Sequence, residues 1–192
     1  MRRIFIGTLV VLAIALINGC ANRKITRVDP NETIDLSGRW NDSDSRLVSE
    51  EMIGDLLTSA WIPRYLKAND KRPVVVVGLV ENKSHEHINS ETFIKDVEKA
   101  IIRDGNIRLV VAGEKRNELR KERAEQQDYA SPETIKKWGK ELGADFILQG
   151  TINSIVDSYK KQKVVTYQID LQLTNIETNE VVWMGDKKIK KQ

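Results

Sequence analysis

The chain has 192 residues, 31 basic and 28 acidic side chains, a formal net charge of +3 and one cysteine. A single Cys excludes an intrachain disulfide, and so small a net charge gives little overall field to steer the protein to nucleic acid or anionic lipid. The length suits one domain with a proper core, preceded by a short apolar segment.

That segment has the layout of an export signal. Met1-Arg2-Arg3 is a positive start, residues 4–17 are apolar apart from Gly7 and Thr8, and Asn18-Gly19-Cys20 follow. The apolar run is too short for a bilayer core. A lone Cys after Gly resembles a bacterial lipobox, in which the thiol takes a diacylglycerol and the chain is cut before the Cys. Ile17 and Gly19 suit that pattern, and Asn18 departs from it. The alternative is an ordinary signal peptide cut nearby, which leaves a free thiol in an oxidising compartment. Ala21 follows the Cys, where Asp would retain a lipoprotein in the inner membrane, so the expectation is the outer membrane. Cutting before Cys20 takes Arg2 and Arg3 from the 31 basic side chains, leaving 29 against 28 acids.

Residues 20–34 are polar and contain Pro30, which predicts a flexible tether of at most ~50 Å when fully extended. Residues 35–192 form the expected globular domain. Residues 35–42 are dense in turn formers around Trp40. Ser43 or Asp44 is then expected to cap a helix with Leu47, Met52, Ile53, Leu56 and Leu57 on its apolar side. That helix should fade near Trp61, because Pro63 disfavours helical geometry at Ile62. The β-branched run at 74–80 predicts a strand buried on both faces. Residues 82–89 are a polar loop. Ser90 is expected to cap a helix carrying Phe93, Ile94, Val97, Ala100 and Ile101, which Asp104-Gly105 ends. A strand over 107–111 follows. Residues 114–127 predict a helix polar all round, with Leu119 its only large apolar residue. Ser131-Pro132-Glu133-Thr134 should open another helix ending at Gly143.

From there the periodicity changes to two. Segments 145–156, 164–176 and 181–189 alternate apolar and polar residues, with Tyr167, Ile169, Leu171 and Leu173 on one face and Gln168, Asp170 and Gln172 on the other. This predicts an antiparallel three-stranded meander. The fold class is therefore α/β: one domain whose mixed β-sheet combines a βαβ unit, parallel and right-handed, with the meander, flanked by helices.

No catalytic set stands out, and the expectation is that the protein is not an enzyme and has no small-molecule substrate. His85 and His87 lie i, i+2 in a loop and preset no chelate, so no metal is expected; Glu86 and Asn82 should organise turns there. Glu50 and Glu51 should lie solvated on a helix exterior. Trp40 is expected to pack against the end of the core, with Arg39, Asn41, Asp42, Asp44 and Arg46 fixing its segment locally. The partner-binding candidate is the stretch 123–137. It holds Gln127, Asp128, Tyr129, Ser131, Glu133 and Lys136, with Tyr129 as an aromatic anchor in a polar surround. The competing reading is a solvated loop with charge pairs.

Taken together, Cys20, DLSGRWNDSDSRLVSEEMI (35–53), RPVVVVGLVENKSHEHI (72–88), SPETIKKWGKELGADFILQGTINSI (131–155) and YQIDLQLTNIETNEVVWMGDKKIKK (167–191) resemble the LpoB family. These are lipoprotein activators of class A penicillin-binding proteins. The resemblance covers essentially the whole chain after the signal. It implies an outer-membrane lipoprotein facing the periplasm, with a fold similar to the N-terminal domain of TolB. It implies docking on a small noncatalytic domain of a bifunctional peptidoglycan synthase, which stimulates cell-wall synthesis without chemistry by the activator. It places the contacts near 123–137, and it implies no cofactor beyond the lipid on Cys20. The tether departs from the pattern, since well-known members have a long one. Two rivals remain: a lipoprotein subunit of an outer-membrane secretion or assembly machine on a similar fold, and an envelope-stress or glycan-binding enzyme.

Overall fold

The computed structural model describes residues 27–29, 32–131, 133 and 141–192. The chain divides into two units, Met1–Glu32 and Thr33–Gln192. In the first, the described residues make one turn, with the Glu32 N–H donating to the Asp29 carbonyl at 3.0 Å. Every element named below belongs to the second. The expected helix from Ser131 to Gly143 lies mostly outside the described residues.

Helix α1 (Asp42–Thr58) starts on Asn41, not on Ser43 or Asp44. The Asn41 side chain accepts from the Asp44 N–H at 3.1 Å, and the Asp44 carboxylate accepts from the Asn41 N–H at 2.9 Å. Two otherwise orphaned donors are thus satisfied reciprocally, as in a capping box. The buried stripe is Ser45, Val48, Ser49, Met52, Ile53 and Leu56, while Leu47 is 46% exposed. The serines return their hydroxyl bonds locally, Ser49 to the Arg46 carbonyl at 2.9 Å, and so take interior places that hydropathy assigns to Leu47.

The chain breaks at Ser59-Ala60 and resumes as α2 (Trp61–Asn69), instead of fading. Pro63 lies in its first turn, where no N–H partner is needed. Trp61 Nε1 donates to the Leu56 carbonyl at 2.9 Å, satisfying the end of α1. Its ring meets Phe146 edge-on at 5.2 Å.

Strand β1 (Val74–Asn82) buries Val74, Val75, Val76 and Val77 in succession, as expected of a strand covered on both faces, but Leu79 is 66% exposed, so the expectation for 74–80 fails in the run's second half. Helix α3 (Ser90–Asp104) is capped by Asn89, one residue before the expected Ser90, through the Glu91 N–H at 2.9 Å. It buries Phe93, Val97 and Ile101 on one face, each contributing about 1.5–3 kcal/mol. Gly105 ends it at φ 77°. Strand β2 is only Arg108–Val110, shorter than expected. Helix α4 (Gly113–Tyr129) buries no residue. Strands β3 (Phe146–Tyr159), β4 (Gln162–Asn175) and β5 (Val181–Lys191) complete the fold.

The sheet order is β2-β1-β3-β4-β5. β1 is parallel to β2 and also to β3; β3, β4 and β5 form the antiparallel meander. Tyr167, Ile169, Leu171 and Leu173 all lie buried on one face, as the alternation requires. Opposite, Gln168 and Asn153 both donate to Asp170. At Gly150 a Cβ would stand 2.2 Å from the Asp170 carbonyl oxygen, so the close approach of β3 and β4 there needs glycine.

Candidate partner-binding surface

Helix α4 is polar on every side, so its position depends on charge and not on burial. Arg116 Nε donates to the Val111 carbonyl at 2.8 Å near its start. Farther along, Arg120 grips Glu141 with two parallel bonds of 2.9 Å, and Arg123 adds a third at 3.1 Å. The fork of the guanidinium matches both carboxylate oxygens, which makes this an oriented clamp. The Arg120 hydrogen bond, with Arg123 behind it, lowers the Glu141 pKa to about 2. Sequence periodicity gave no sign of this clamp, because its halves lie 21 residues apart.

Beyond the clamp, the C-terminal end of α4 is exposed. The Ala130 N–H closes the helix on the Gln126 carbonyl at 3.1 Å. Tyr129 is 88% exposed, and Gln127, Asp128, Ser131 and Glu133 are exposed with it. Five of the six candidate residues thus sit in one short stretch. Lys136 and Cys20 lie outside the described residues.

A second cluster joins the two ends of the folded unit. Lys191 Nζ binds Asp44 at 2.6 Å and Asp35 at 2.5 Å, and donates to the Arg39 carbonyl at 3.1 Å. Hydrogen bonds from Lys191 and Asn41 lower the Asp35 pKa. Burial would depress the Lys191 pKa, but the two carboxylates outweigh it and raise it. The segment around Trp40, expected to hold itself locally, is therefore also held by the far end of the chain. Trp40 takes its packing role: the ring meets Tyr167 edge-on at 5.5 Å and Nε1 donates to Ser45 Oγ at 2.8 Å. Burial, then the neighbouring Glu86 carboxylate, push the Tyr167 pKa up to about 12.

The 82–89 loop is organised by its own side chains. Asn82 donates to the Glu86 carbonyl at 2.8 Å and accepts from Ser84, while Glu86 accepts from the Trp40 N–H at 3.2 Å. His85 Nδ1 lies 2.6 Å from Ser154 Oγ and Nε2 lies 3.4 Å from Glu86. Among the described residues no three His, Cys, Asp or Glu side chains converge as a metal site. No described helix is long and apolar enough to cross a membrane. A polar cleft of about 350 Å³ at the opposite end of the sheet is lined by Tyr65, Lys71, Asp145, Asn175 and Glu177. The Lys71–Asp145 pair there fastens the start of β1, since Asp145 also accepts from the Val74 N–H at 2.8 Å.

A mixed five-stranded sheet flanked by helices, with one polar helix clamped through Glu141, defines a small α/β domain. The chain belongs to the LpoB family: the family model described as peptidoglycan-synthase activator LpoB matches residues 44–189. Solved structures to which the chain has some similarity include these three. The LpoB C-terminal domain from Salmonella enterica is 17% identical, with a TM-score of 0.46 over 78% of this chain and 99% of that one. The corresponding domain from Escherichia coli is 17% identical, with a TM-score of 0.45 over 76% and 98%. Lipoprotein GNA1162 from Neisseria meningitidis is 16% identical, with a TM-score of 0.38 over 62% and 83%. No curated protein matches the sequence.

Proposed function

We propose that this protein is an outer-membrane lipoprotein, anchored through Cys20 and facing the periplasm. It binds a class A penicillin-binding protein at a noncatalytic domain and raises its activity without performing chemistry. The observation that carries this reading is the family match across residues 44–189. That match does not favour the secretion-machine alternative.

The docking surface is the end of α4, with Tyr129 as its anchor and Asp128, Ser131 and Glu133 around it. Gln127 and Lys136 belong to the same stretch. A large exposed aromatic ring at the end of a helix that buries nothing suits an interface centre. Activation requires that the domain bind the active state of the synthase more tightly than the inactive one. A tenfold preference corresponds to about 1.4 kcal/mol.

The test is a pull-down from detergent-solubilised envelope with the mature chain as bait, beside a Tyr129→Ala/Glu133→Ala bait. Recovery of a bifunctional synthase by the first and its loss by the second is the expected result. Recovery of secretion components in its place would overturn the reading.

A further inference from the structure

The β3–β4 hairpin outgrows the sheet. The two strands remain paired as far as Tyr159 opposite Gln162. Pairing with β1 stops at Ile152, and pairing with β5 stops at Val165. At ~3.3 Å per residue, the ribbon from Val165 to its tip stands roughly 10 Å beyond the last residue of β5. The turn is Lys160-Lys161, with Lys160 in the left-handed region at φ 55°.

One face of this ribbon carries Ile155, Asp157 and Tyr159 on β3 and Gln162, Val164 and Thr166 on β4, with large apolar side chains left in solvent. Ile155 and Tyr159 are each 70% exposed, and half-buried Val164, opposite Asp157, lies diagonally between them. Lys160 Nζ stands 5.3 Å from the centre of the Tyr159 ring, Lys161 is exposed in the same turn, and exposed Lys163, opposite Ser158, projects from the other face of the tip. None of these three lysines pairs with a carboxylate of the described residues. Against them the hairpin carries one acid, Asp157. The same face continues onto β5, where exposed Lys190 sits opposite Thr166, itself opposite Ile155. Alternation along β5 separates two uses of lysine. Lys187 and Lys191 are held by Glu51, Asp35 and Asp44, while Lys188 and Lys190 point the other way into solvent.

We propose that this hairpin docks on an anionic membrane surface. An exposed Tyr ring at the hairpin's tip, with Ile155 behind it, suits the headgroup layer, and the lysines of the tip can keep their ammonium groups at the phosphates. The exposed lysines and apolar side chains of the hairpin do not depend on the anchored reading given above.

The test uses the mature chain from residue 20 with Cys20→Ser, which carries no lipid. It is sedimented with vesicles of equimolar phosphatidylcholine and phosphatidylglycerol, and with pure phosphatidylcholine. The protein is expected to sediment with the anionic vesicles alone and to be released by added salt. Lys160→Asn/Lys161→Gln/Lys163→Gln keeps a residue that tolerates the left-handed turn, and should weaken vesicle affinity by about a hundredfold at roughly fivefold per lysine. Tyr159→Ser, tested alone, should also weaken it, and both variants should melt as the parent does. A parent that stays in the supernatant, binds both vesicle types equally, or binds as well without its lysines overturns the proposal. If the triple variant instead loses synthase capture while the parent never binds vesicles, the hairpin serves a protein and the membrane proposal fails. Failure of synthase capture alone leaves the vesicle result intact, so the two readings fail separately.

Discussion

Replacing Lys191 by Met cuts the tie between the two ends of the folded unit. The Lys191 side chain is 8% exposed and that of its partner Asp44 is 7% exposed, whereas that of Asp35 is 51% exposed. Met retains the buried stem, so the loss falls on the charges. Asp44 is left buried with only the Asn41 N–H at 2.9 Å. Removing one partner of a buried pair costs about 3–5 kcal/mol. Asp35 regains water and offsets part of that, which leaves about 2 kcal/mol. For a unit of this size the melting temperature should fall by about 4–8 °C in a calorimetric scan. Adding Asp44→Asn should recover part of the loss, because the stranded charge is then gone. The pH dependence follows from the shifts. The Asp35 contribution exists above the ordinary aspartate range and is lost as pH falls through its lowered pKa. The Lys191 contribution exists below the ordinary lysine range and is lost as pH rises through its raised pKa. The gap between parent and variant should therefore be widest between about pH 5 and 10. A fall of less than about 1 °C, or a double variant that loses stability additively, would refute the reasoning.

Three further outcomes follow from the geometry. Asn41→Ala should cost about 1 kcal/mol in denaturant unfolding, and more than Ser43→Ala, because Asn41 is the cap; the reverse order would restore the cap expected from sequence. Gly150→Ala should cost about 1–3 kcal/mol in the same assay, since its Cβ meets the Asp170 carbonyl; unchanged stability would mean the strands part freely. The Glu141 carboxyl should titrate by NMR near pH 2. Its clamp on α4 is then complete above about pH 4.5 and lost as pH falls from there through about 2, and a midpoint in the usual glutamate range would show the clamp open in solution.

The sequence made the sheet legible because its signals are local. Residues 167–173 alternate strictly, so their facing followed from a period of two. The valine run marked a strand covered on both faces, and Gly105 marked the end of α3. What escaped was decided by distance or by competition. Asn41 and Asn89 displaced neighbouring caps because three adjacent polar residues compete for the same N–H groups. Ser45 and Ser49 took buried places that hydropathy gives to Leu47. Pro63 marked a new helix because the break had already come at Ser59-Ala60. The candidate surface was placed from composition and resemblance, and Tyr129 does stand exposed. The clamp on α4 and the Lys191 tie join residues 21 and 156 apart, beyond any sequence window.

The most direct test of the central claim is glycan polymerisation by a purified class A penicillin-binding protein from the same envelope, with and without this protein. Stimulation by the parent, and its loss with Tyr129→Ala at unchanged melting temperature, is the result expected. A polymerisation rate that the parent leaves unchanged at saturating concentration would contradict the claim that this chain is an activator.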